Sequence, residues 1–330
     1  MVDVARLAGL SVTAVSRHLN GRIKLPKETV AMIEDAVREL GYQPNPHARS
    51  LSRGRSDTIG LVIPNIANLY FAELAASVEQ TASEHGLAML LCVTLNKLER
   101  EREYLRRLGT NYLDGLIFVT NHPNDGELST LINRTNRRVV VLDEDIVGAR
   151  GVKIFSDNKI AGYLATKHLL DAGHRRIAII FGPEAMMSSR DRLAGCYQAI
   201  SEAGVGAELT SLLYGEYSPS HGRRAAEELL AANDGTSALI VASDQITIGA
   251  VAVFHERGIR IPDDLSLIGA DDVYPFHLLS PPLTTIRQPV EAMGRRAVQL
   301  LIDSLRRTSS RSLIEHLAPE LITRDSVAKL

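Results

Sequence analysis

The sequence has little cysteine and no long apolar run, and each absence excludes a class of protein. Only two of the 330 residues are cysteines, Cys92 and Cys196, and they lie far apart in apolar contexts. This pattern fits neither a disulfide framework nor a zinc site and predicts two buried free thiols. No segment approaches the roughly 18 apolar residues of a membrane span, and no signal-peptide-like run stands near the start. We therefore expect a cytoplasmic protein with no membrane partner.

Sequence signatures of catalysis and of metal binding are missing as well. The chain contains no G-x-G-x-x-G, P-loop, G-x-S-x-G or H-E-x-x-H pattern, and its ten histidines show no ligand spacing. Asp271 and Asp272 form a carboxylate pair that could suggest acid–base chemistry. Adjacent side chains at the end of a strand point in different directions, however, so this pair fits binding better. We expect no catalytic residue, no metal and no cofactor.

Basic residues are concentrated at the start of a chain whose total formal charge is −2. Residues 1–56 hold nine Lys and Arg against five Asp and Glu, a charge of +4, and the remainder carries −6. The total charge alone would argue against a nucleic-acid partner, but a basic head on an acidic body favours one. The length allows two or three domains with at least one large core.

The first 43 residues have the apolar spacing of short helices. Gly9 ends the first helix and supplies a turn, and the small Ala5 would let two helices approach closely. A second helix would bury Val15 and Leu19. A third is predicted in PKETVAMIEDAVRELGY, with apolar side chains on one face at Val30, Ile33, Val37 and Leu40. This arrangement fits a helix-turn-helix, whose second helix meets base edges, or a plain helical hairpin with polar exposure.

From Thr58 onward, apolar strand-like runs alternate with amphipathic helical stretches. TIGLVIP precedes FAELAASVEQTASEHG, and the pattern resumes with RRIAIIFG and RDRLAGCYQAISEAG after about residue 176. Alternation of this kind predicts parallel sheets with helices on both faces. Because the two series are similar, we expect two α/β lobes with a ligand cleft between them at the carboxyl ends of the strands.

Six segments resemble successive signatures of the lactose/galactose repressor family. They are VDVARLAGLSVTAVSRHLN, GYQPNPHARSL, AGHRRIAIIFGP, RLAGC, IRIPDDLSLIGADD and PPLTTIRQP, which occur in the family's order over nearly the whole chain. The resemblance implies two similar parallel-sheet lobes of the periplasmic-binding-protein type after a small all-α helix-turn-helix headpiece. It further implies a headpiece at 1–44, a hinge helix or linker at 45–57 and a core at 58–330. The core divides into an N-terminal lobe at about 58–157 and 286–317 and a C-terminal lobe at about 158–285 and 318–330.

The resemblance also assigns residues that contact DNA. The outward face of the second helix would meet bases, and family hinge helices enter the minor groove at the segment matching NPHARSLS. A leucine there unstacks a base step and bends the duplex, although a linker contact is the simpler alternative. The predicted DNA-binding residues are Ser11, Val12, Thr13, Ser16, Arg17, Asn20, Ala48 and Leu51.

A second set of residues matches the family's effector cleft. Charged groups make strong hydrogen bonds to neutral polyols, so an arginine with two acids would suit the hydroxyl groups of a sugar, polyol or sugar acid. Structural ion pairing is the alternative for each charged residue. The predicted effector-binding residues are Asn68, Tyr70, Phe71, Asp143, Arg192, Tyr217, Ser243, Asp271 and Gln288.

Several positions depart from the family pattern. Ser243 stands where Asn is usual, Ala270 where an aromatic is common, and Glu144 where sugar-binding relatives often have Arg. These departures predict a cleft that is roomier on one side and more acidic. His18 occupies a usually apolar position, and the chain begins only two residues before the DVA motif, which leaves open whether the true start lies upstream.

The function that follows is a ligand-responsive repressor that binds a palindromic operator. Its partners would be double-stranded DNA, a small effector and a second copy of the chain, in a homodimer held by the core lobes rather than a tetramer. A free sugar-binding protein without DNA-binding activity is the alternative, and a sugar-modifying enzyme lacks a catalytic constellation. Whether the effector releases or recruits the protein stays open.

Overall fold

The computed structural model describes residues 1–20, 23–42, 55–108, 113–123, 126–135, 138–204, 206–306 and 312–330. Within these residues, a helical headpiece (residues 1–42) precedes a larger α/β core. The predicted hinge residues Ala48 and Leu51 lie outside the described residues. The headpiece helices are α1 (Val2–Leu7), α2 (Val12–Leu19) and α3 (Lys27–Glu39).

The headpiece helices pack around a small apolar core. Gly9 has a φ of +65°, a left-handed conformation that glycine adopts without strain, and it turns the chain between α1 and α2. Ser11 caps α2, since its hydroxyl accepts a hydrogen bond from the Ala14 N–H at 3.2 Å. The buried residues are Val4, Ala5, Ala8, Val15, Ile33 and Ala36.

One predicted apolar position of the third helix is wrong. Leu40, expected on the inner face, is 46% exposed, and the small Ala36 is buried instead. The helix ends at Glu39, so Leu40 stands at its cap, where the inner face has already left the core.

The N-terminal lobe is built on a parallel sheet. Its strand order is β2-β1-β3-β4-β5-β11, and each neighbouring pair runs parallel. The central strands are buried on both sides, which explains their near-continuous apolar sequences. The strands are β1 (Thr58–Ile63), β2 (Ala88–Val93), β3 (Gly115–Phe118), β4 (Val139–Leu142), β5 (Val152–Ser156) and β11 (Leu313–Leu317).

The C-terminal lobe repeats this topology with one difference. Its order is β7-β6-β8-β9-β10-β12, in which all pairs are parallel except that β12 runs antiparallel to β10. The carboxyl end of β11 lies at the edge where the lobes meet, and the chain passes from there directly into β12. The strand β12 therefore runs away from that edge, opposite in direction to β10. The strands are β6 (Arg176–Phe181), β7 (Glu208–Tyr214), β8 (Ala238–Val241), β9 (Ser266–Ala270), β10 (Thr284–Arg287) and β12 (Glu320–Ile322).

Helices cover both faces of each sheet and bury its apolar side chains. Both cysteines are buried free thiols, as predicted, and burial raises the pKa of each to about 11. The core helices are α4 (Leu69–Glu84), α5 (Leu98–Arg107), α6 (Glu127–Asn133), α7 (Asn158–Asp171), α8 (Met187–Ala203), α9 (Pro219–Ala232), α10 (Asp244–Arg257) and α11 (Val290–Arg306).

The chain crosses between the lobes after β5, after β10 and between β11 and β12. The second crossing follows Arg287, the last residue of β10, and the division of the chain into domains stays a prediction. In the described parts of the chain, no helix combines the length and apolar character that a membrane crossing requires.

Candidate functional site

A cleft that is partly open to solvent lies between the lobes at the carboxyl ends of their strands. The structure brings all nine predicted effector-binding residues together in its lining, although their role in binding stays a prediction. The lining also includes five residues outside that set. The cleft residues are Asn68, Tyr70, Phe71, Asn121, Asp143, Glu144, Ser188, Arg192, Tyr217, Ala242, Ser243, Asp244, Asp271 and Gln288.

Two aspartates occupy equivalent places in the two lobes. Asp143 follows β4 and Asp271 follows β9, and both have left-handed backbones, with φ of +76° and +62°. Each N–H donates to the neighbouring strand, to Ile154 O at 3.0 Å and to Ile286 O at 2.9 Å. Aspartate tolerates this conformation better than most residues. The turn therefore directs a carboxylate from each lobe into the cleft.

The buried Tyr70 and the half-buried Asp143 form a pair on the N-terminal side of the cleft. The Tyr70 hydroxyl donates a 2.7 Å hydrogen bond to Asp143 Oδ1. Burial raises the pKa of Asp143 to about 6, while the hydrogen bond and the Arg192 charge act in the opposite direction. Burial, together with the Asp143 charge, raises the pKa of Tyr70 well above its ordinary value. The tyrosine is thus a neutral donor.

Asp244 and Asp271 form a second acidic group on the C-terminal side. The Asp244 backbone N–H donates to Asp271 Oδ2 at 3.1 Å, and Gln288 Nε2 donates to Asp271 Oδ1 at 2.6 Å. Asn68, from the other lobe, donates to Asp244 Oδ1 at 3.3 Å. Burial, followed by the Asp271 charge, raises the pKa of Asp244 to about 7. Burial also raises the pKa of Asp271.

Glu144 forms another bridge between the lobes. Its carboxylate accepts hydrogen bonds from the hydroxyl and the backbone N–H of Ser188, in the first turn of α8. The Ser188 Oγ lies 2.7 Å from the Tyr217 hydroxyl. Burial and the neighbouring Asp143 charge raise the pKa of Glu144 to about 7. This acid, where sugar-binding relatives often have Arg, both joins the lobes and adds negative charge to the cleft.

Arg192 supplies positive charge to the cleft from α8. Its Nε donates to Asn158 Oδ1 at 2.8 Å, and Nη1 donates to the Ala242 carbonyl. Close packing of α7 against α8 fixes its backbone, because a Cβ at Gly162 would lie 1.9 Å from the Arg192 carbonyl oxygen. The guanidinium lowers the pKa of Asp143, Glu144 and Asp271 against the effect of burial.

The adjacent acids Asp271 and Asp272 at the end of β9 point in different directions, as expected. Asp271 faces the cleft, whereas Asp272 forms ion pairs with Arg287 at 2.5 Å and Arg324 at 2.7 Å. Hydrogen bonds from Arg287, Thr285 and Arg324 outweigh burial and lower the pKa of Asp272 to about 2. Asp272 is therefore a structural ion pair, and the two carboxylates do not share a substrate position.

An apolar cavity adjoins the cleft on the C-terminal side. Its volume is only about 20 Å³, between α7, α8 and the sheet, and it shares Arg192, Ala242 and Gln288 with the cleft lining. Ala270 and Cys196 also line it. The small Ala270, at a position where an aromatic is common in the family, leaves this volume free of a ring.

The headpiece exposes part of its predicted DNA-binding set. Val12 is 42% exposed, and Thr13 and Arg17 are exposed beside it. Ser16 is half-buried, and Asn20 Nδ2 donates to the Ser16 carbonyl at 2.8 Å. Ser11 and Asn20 thus also stabilise the two ends of α2.

Sequence reasoning did not select Asn121, Ser188, Ala242 and Asp244, and noted Glu144 only as a departure. The internal repeat could have identified three of them. Asn121 follows β3 as Ser243 and Asp244 follow β8, and Ser188 follows β6 as Asn68 follows β1. Equivalent loops at the carboxyl edges of two related sheets face one cleft.

Two family descriptions match the chain. Residues 1–45 match bacterial regulatory proteins of the lacI family, and residues 166–327 match a periplasmic binding protein-like domain. Among curated relatives, the HTH-type transcriptional repressor PurR of Aliivibrio salmonicida (strain LFI1238) is 33% identical over 99% of this chain and 98% of its own. PurR of Edwardsiella ictaluri (strain 93-146) is 34% identical over 99% and 96%.

Solved structures are similar over the same length. A lac repressor dimer bound to operator and the anti-inducer ONPF has a TM-score of 0.87 at 25% identity, covering 99% of this chain and 98% of that chain. A complex of the transcriptional regulator CelR with cellobiose has a TM-score of 0.76 at 29% identity, covering 98% of both chains.

Proposed function

The chain belongs to the lacI family of bacterial regulatory proteins, and from this premise we propose that it is a cytoplasmic repressor that binds a palindromic operator as a homodimer. It is a ligand-responsive DNA-binding regulator and not an enzyme. One observation carries the proposal. A single chain joins a helix-turn-helix with exposed Val12, Thr13 and Arg17 to a polar cleft between two lobes.

On the DNA side, α2 is the recognition helix. Its N-terminal half presents a methyl-bearing surface at Val12 and Thr13, one turn before the guanidinium of Arg17. Arginine reads guanine by paired hydrogen bonds in the major groove, and apolar side chains contact thymine methyl groups. A dimer reads one half-site with each headpiece, so the operator has two-fold symmetry. The similar lac repressor binds its operator as a dimer.

On the effector side, the cleft takes up a small polar molecule of sugar-like size. Tyr70, Phe71 and Tyr217 supply aromatic surface, and the carboxylates and Arg192 supply hydrogen-bonding groups. Two hydrogen bonds join the lobes across the cleft, Asn68 with Asp244 and Glu144 with Ser188. A molecule bound in the cleft therefore changes how closely the two lobes approach. The similar CelR holds cellobiose.

Effector and operator are coupled through the relative arrangement of the lobes. An effector that binds one arrangement better shifts the dimer toward it, and operator binding then changes effector affinity by the same factor. Such coupling is typically about 1–3 kcal/mol, or about 5–150-fold in affinity.

The DNA-binding half of the proposal is tested by selecting bound sequences from a random duplex library. We expect a palindrome, and Arg17→Ala should lose about 1–3 kcal/mol of affinity and relax selection at one base pair in each half-site. The control is Arg223→Ala on α9, which removes an exposed ion pair with Glu256 on α10. Unchanged selection by Arg17→Ala would refute the assignment of α2, and enrichment of no sequence would refute the function.

A further inference from the structure

The cleft holds more negative charge than its own residues neutralise. Among the described lining residues, four are carboxylic acids and Arg192 alone is basic. Asp244 is fully buried, and Glu144 and Asp271 are 2% and 7% exposed. Carboxylates placed this deep are costly unless a cation or hydrogen-bond donors compensate them. One guanidinium, already bonded to Asn158 and Ala242, does not balance four acids.

The hydrogen-bonding capacity left in the cleft is mainly that of acceptors. Four side-chain donors of the lining are paired with its acids: Asn68 with Asp244, Tyr70 with Asp143, Ser188 with Glu144 and Gln288 with Asp271. Gln288 lines the cleft and is only 8% exposed. Its amide oxygen is buried and accepts no hydrogen bond from any described residue. A buried, unpaired acceptor of this kind is unfavourable, and a donor on a molecule bound in the cleft would satisfy it as an ordered water would.

The lining excludes one of the effector classes considered from the sequence and favours another. A sugar acid would bring a further carboxylate into a cleft lined by four acids and one arginine, where like charges repel. An ammonium group supplies three donors and a positive charge, and it is attracted by the faces of aromatic rings such as Tyr70 and Tyr217. Hydroxyl groups on the same molecule can accept from Arg192.

A metal ion fits the site less well than an organic cation. In the described part of the chain, no three His, Cys, Asp or Glu side chains are placed together to ligate a metal. The acids instead lie on both lobes, around a cleft that is partly open to solvent.

We infer that the effector of this regulator is a hydroxylated amine, of the amino-sugar class, whose positive charge offsets the carboxylates of Asp143, Glu144, Asp244 and Asp271 around the cleft and which supplies a donor to the Gln288 amide oxygen. This inference rests on the proposed function, because it identifies the class of molecule that the same cleft binds. It replaces the neutral sugar, polyol or sugar acid expected from the sequence with a cationic ligand.

Isothermal titration calorimetry of the full chain at pH 7 tests the inference with three matched triplets. Each contains a neutral hexose, its 2-amino form and its N-acetylated form, for glucose, galactose and mannose. We expect at least one amine to bind about tenfold or more tightly than both uncharged partners, equivalent to about 1.4 kcal/mol. The N-acetyl form separates charge from added bulk.

Proton release gives a second measurement. Acids with raised pKa values lose protons when a cation binds beside them, so amine binding should release protons, seen as a heat that depends on the ionisation enthalpy of the buffer. Asp271→Asn should reduce the preference for the amine about tenfold. Asparagine has nearly the size of aspartate, its amide oxygen can still accept a hydrogen bond, and it tolerates the positive φ. The exposed Glu256→Gln serves as the charge-matched control and should leave the preference unchanged.

Two results would overturn the inference: a neutral or acetylated sugar that binds as tightly as its amine, or no binding of any amine at 10 mM. Either would leave the operator selection untouched, since that experiment needs no effector. Loss of operator selection with retained amine binding would instead refute the proposed function and leave the ligand assignment standing.

Discussion

Asp143→Asn should stabilise the protein at pH 8 and leave its stability at pH 5 almost unchanged. The pKa of Asp143 is raised from 3.8 to about 6, so the folded state holds this proton more tightly than the unfolded chain. A group of this kind costs stability progressively as the pH rises from about 4 to about 6, and the full cost is present above that range. Asparagine carries no charge and removes the cost.

The size of the effect follows from the pKa shift and from the geometry. Each pKa unit corresponds to about 1.4 kcal/mol, so a shift of about two units would represent roughly 3 kcal/mol. Asp143 keeps some contact with solvent, which screens its charge, and we therefore expect about 1–2 kcal/mol at pH 8. The amide oxygen of the substituted side chain can still accept the Tyr70 hydroxyl, and asparagine tolerates the φ of +76°.

The assay is urea unfolding followed by circular dichroism at pH 5 and pH 8. Asp143→Ala should destabilise at both pH values, because alanine is strained at this φ and leaves the buried Tyr70 hydroxyl without its acceptor. Glu256→Gln should show no difference between the two pH values beyond that of the wild type. An Asp143→Asn variant that is less stable than wild type at pH 8, or equally shifted at both pH values, would show that the buried charge is not destabilising.

Three further outcomes are expected. Gly162→Ala should lower the free energy of unfolding by about 1–3 kcal/mol and weaken effector binding, because the added Cβ would overlap the Arg192 carbonyl. Thermal unfolding and calorimetry measure the two effects, and Gly206→Ala, whose Cβ meets open space, is the control. Leu51→Ala should reduce operator affinity and DNA bending, measured by gel mobility, without changing the effector affinity of the free protein. Full bending at full affinity would refute the predicted unstacking of a base step by Leu51. Light scattering at micromolar concentration should give twice the chain mass of 36.0 kDa, and a stable tetramer would contradict the dimer.

Much of the core fold could be predicted from its apolar runs, because buried parallel strands carry a strong local pattern. The strand Val152–Ser156 was not predicted, since Lys153 interrupts its apolar sequence. In the structure Lys153 is nearly buried and bonds to Asp145 and the Ile146 carbonyl. Its partners lie in the preceding loop, and the pattern of the strand itself gives no sign of them.

The cleft was predictable where an acid directly follows a strand, as Asp143 and Asp271 do. Asp244 was missed because an acid in the first turn of a helix has an ordinary local explanation in the helix dipole. Its neighbours Asn68 and Asp271 reach it only through tertiary structure, 176 and 27 residues away. Glu144 was visible as an added acid, but its bond to Ser188 depends on how the two lobes meet.

The three crossings between the lobes have a consequence for how the core can be inherited and dissected. Neither lobe is a continuous segment, because α11 and β11 return to the N-terminal lobe after β10, and only then does β12 complete the sheet of the C-terminal lobe. A chain cut after Leu283 would lose edge strands from both sheets at once. Truncation or gene fusion at a single point therefore cannot give one lobe that folds alone. Recombination can exchange the headpiece, which is one continuous segment, far more readily than either lobe.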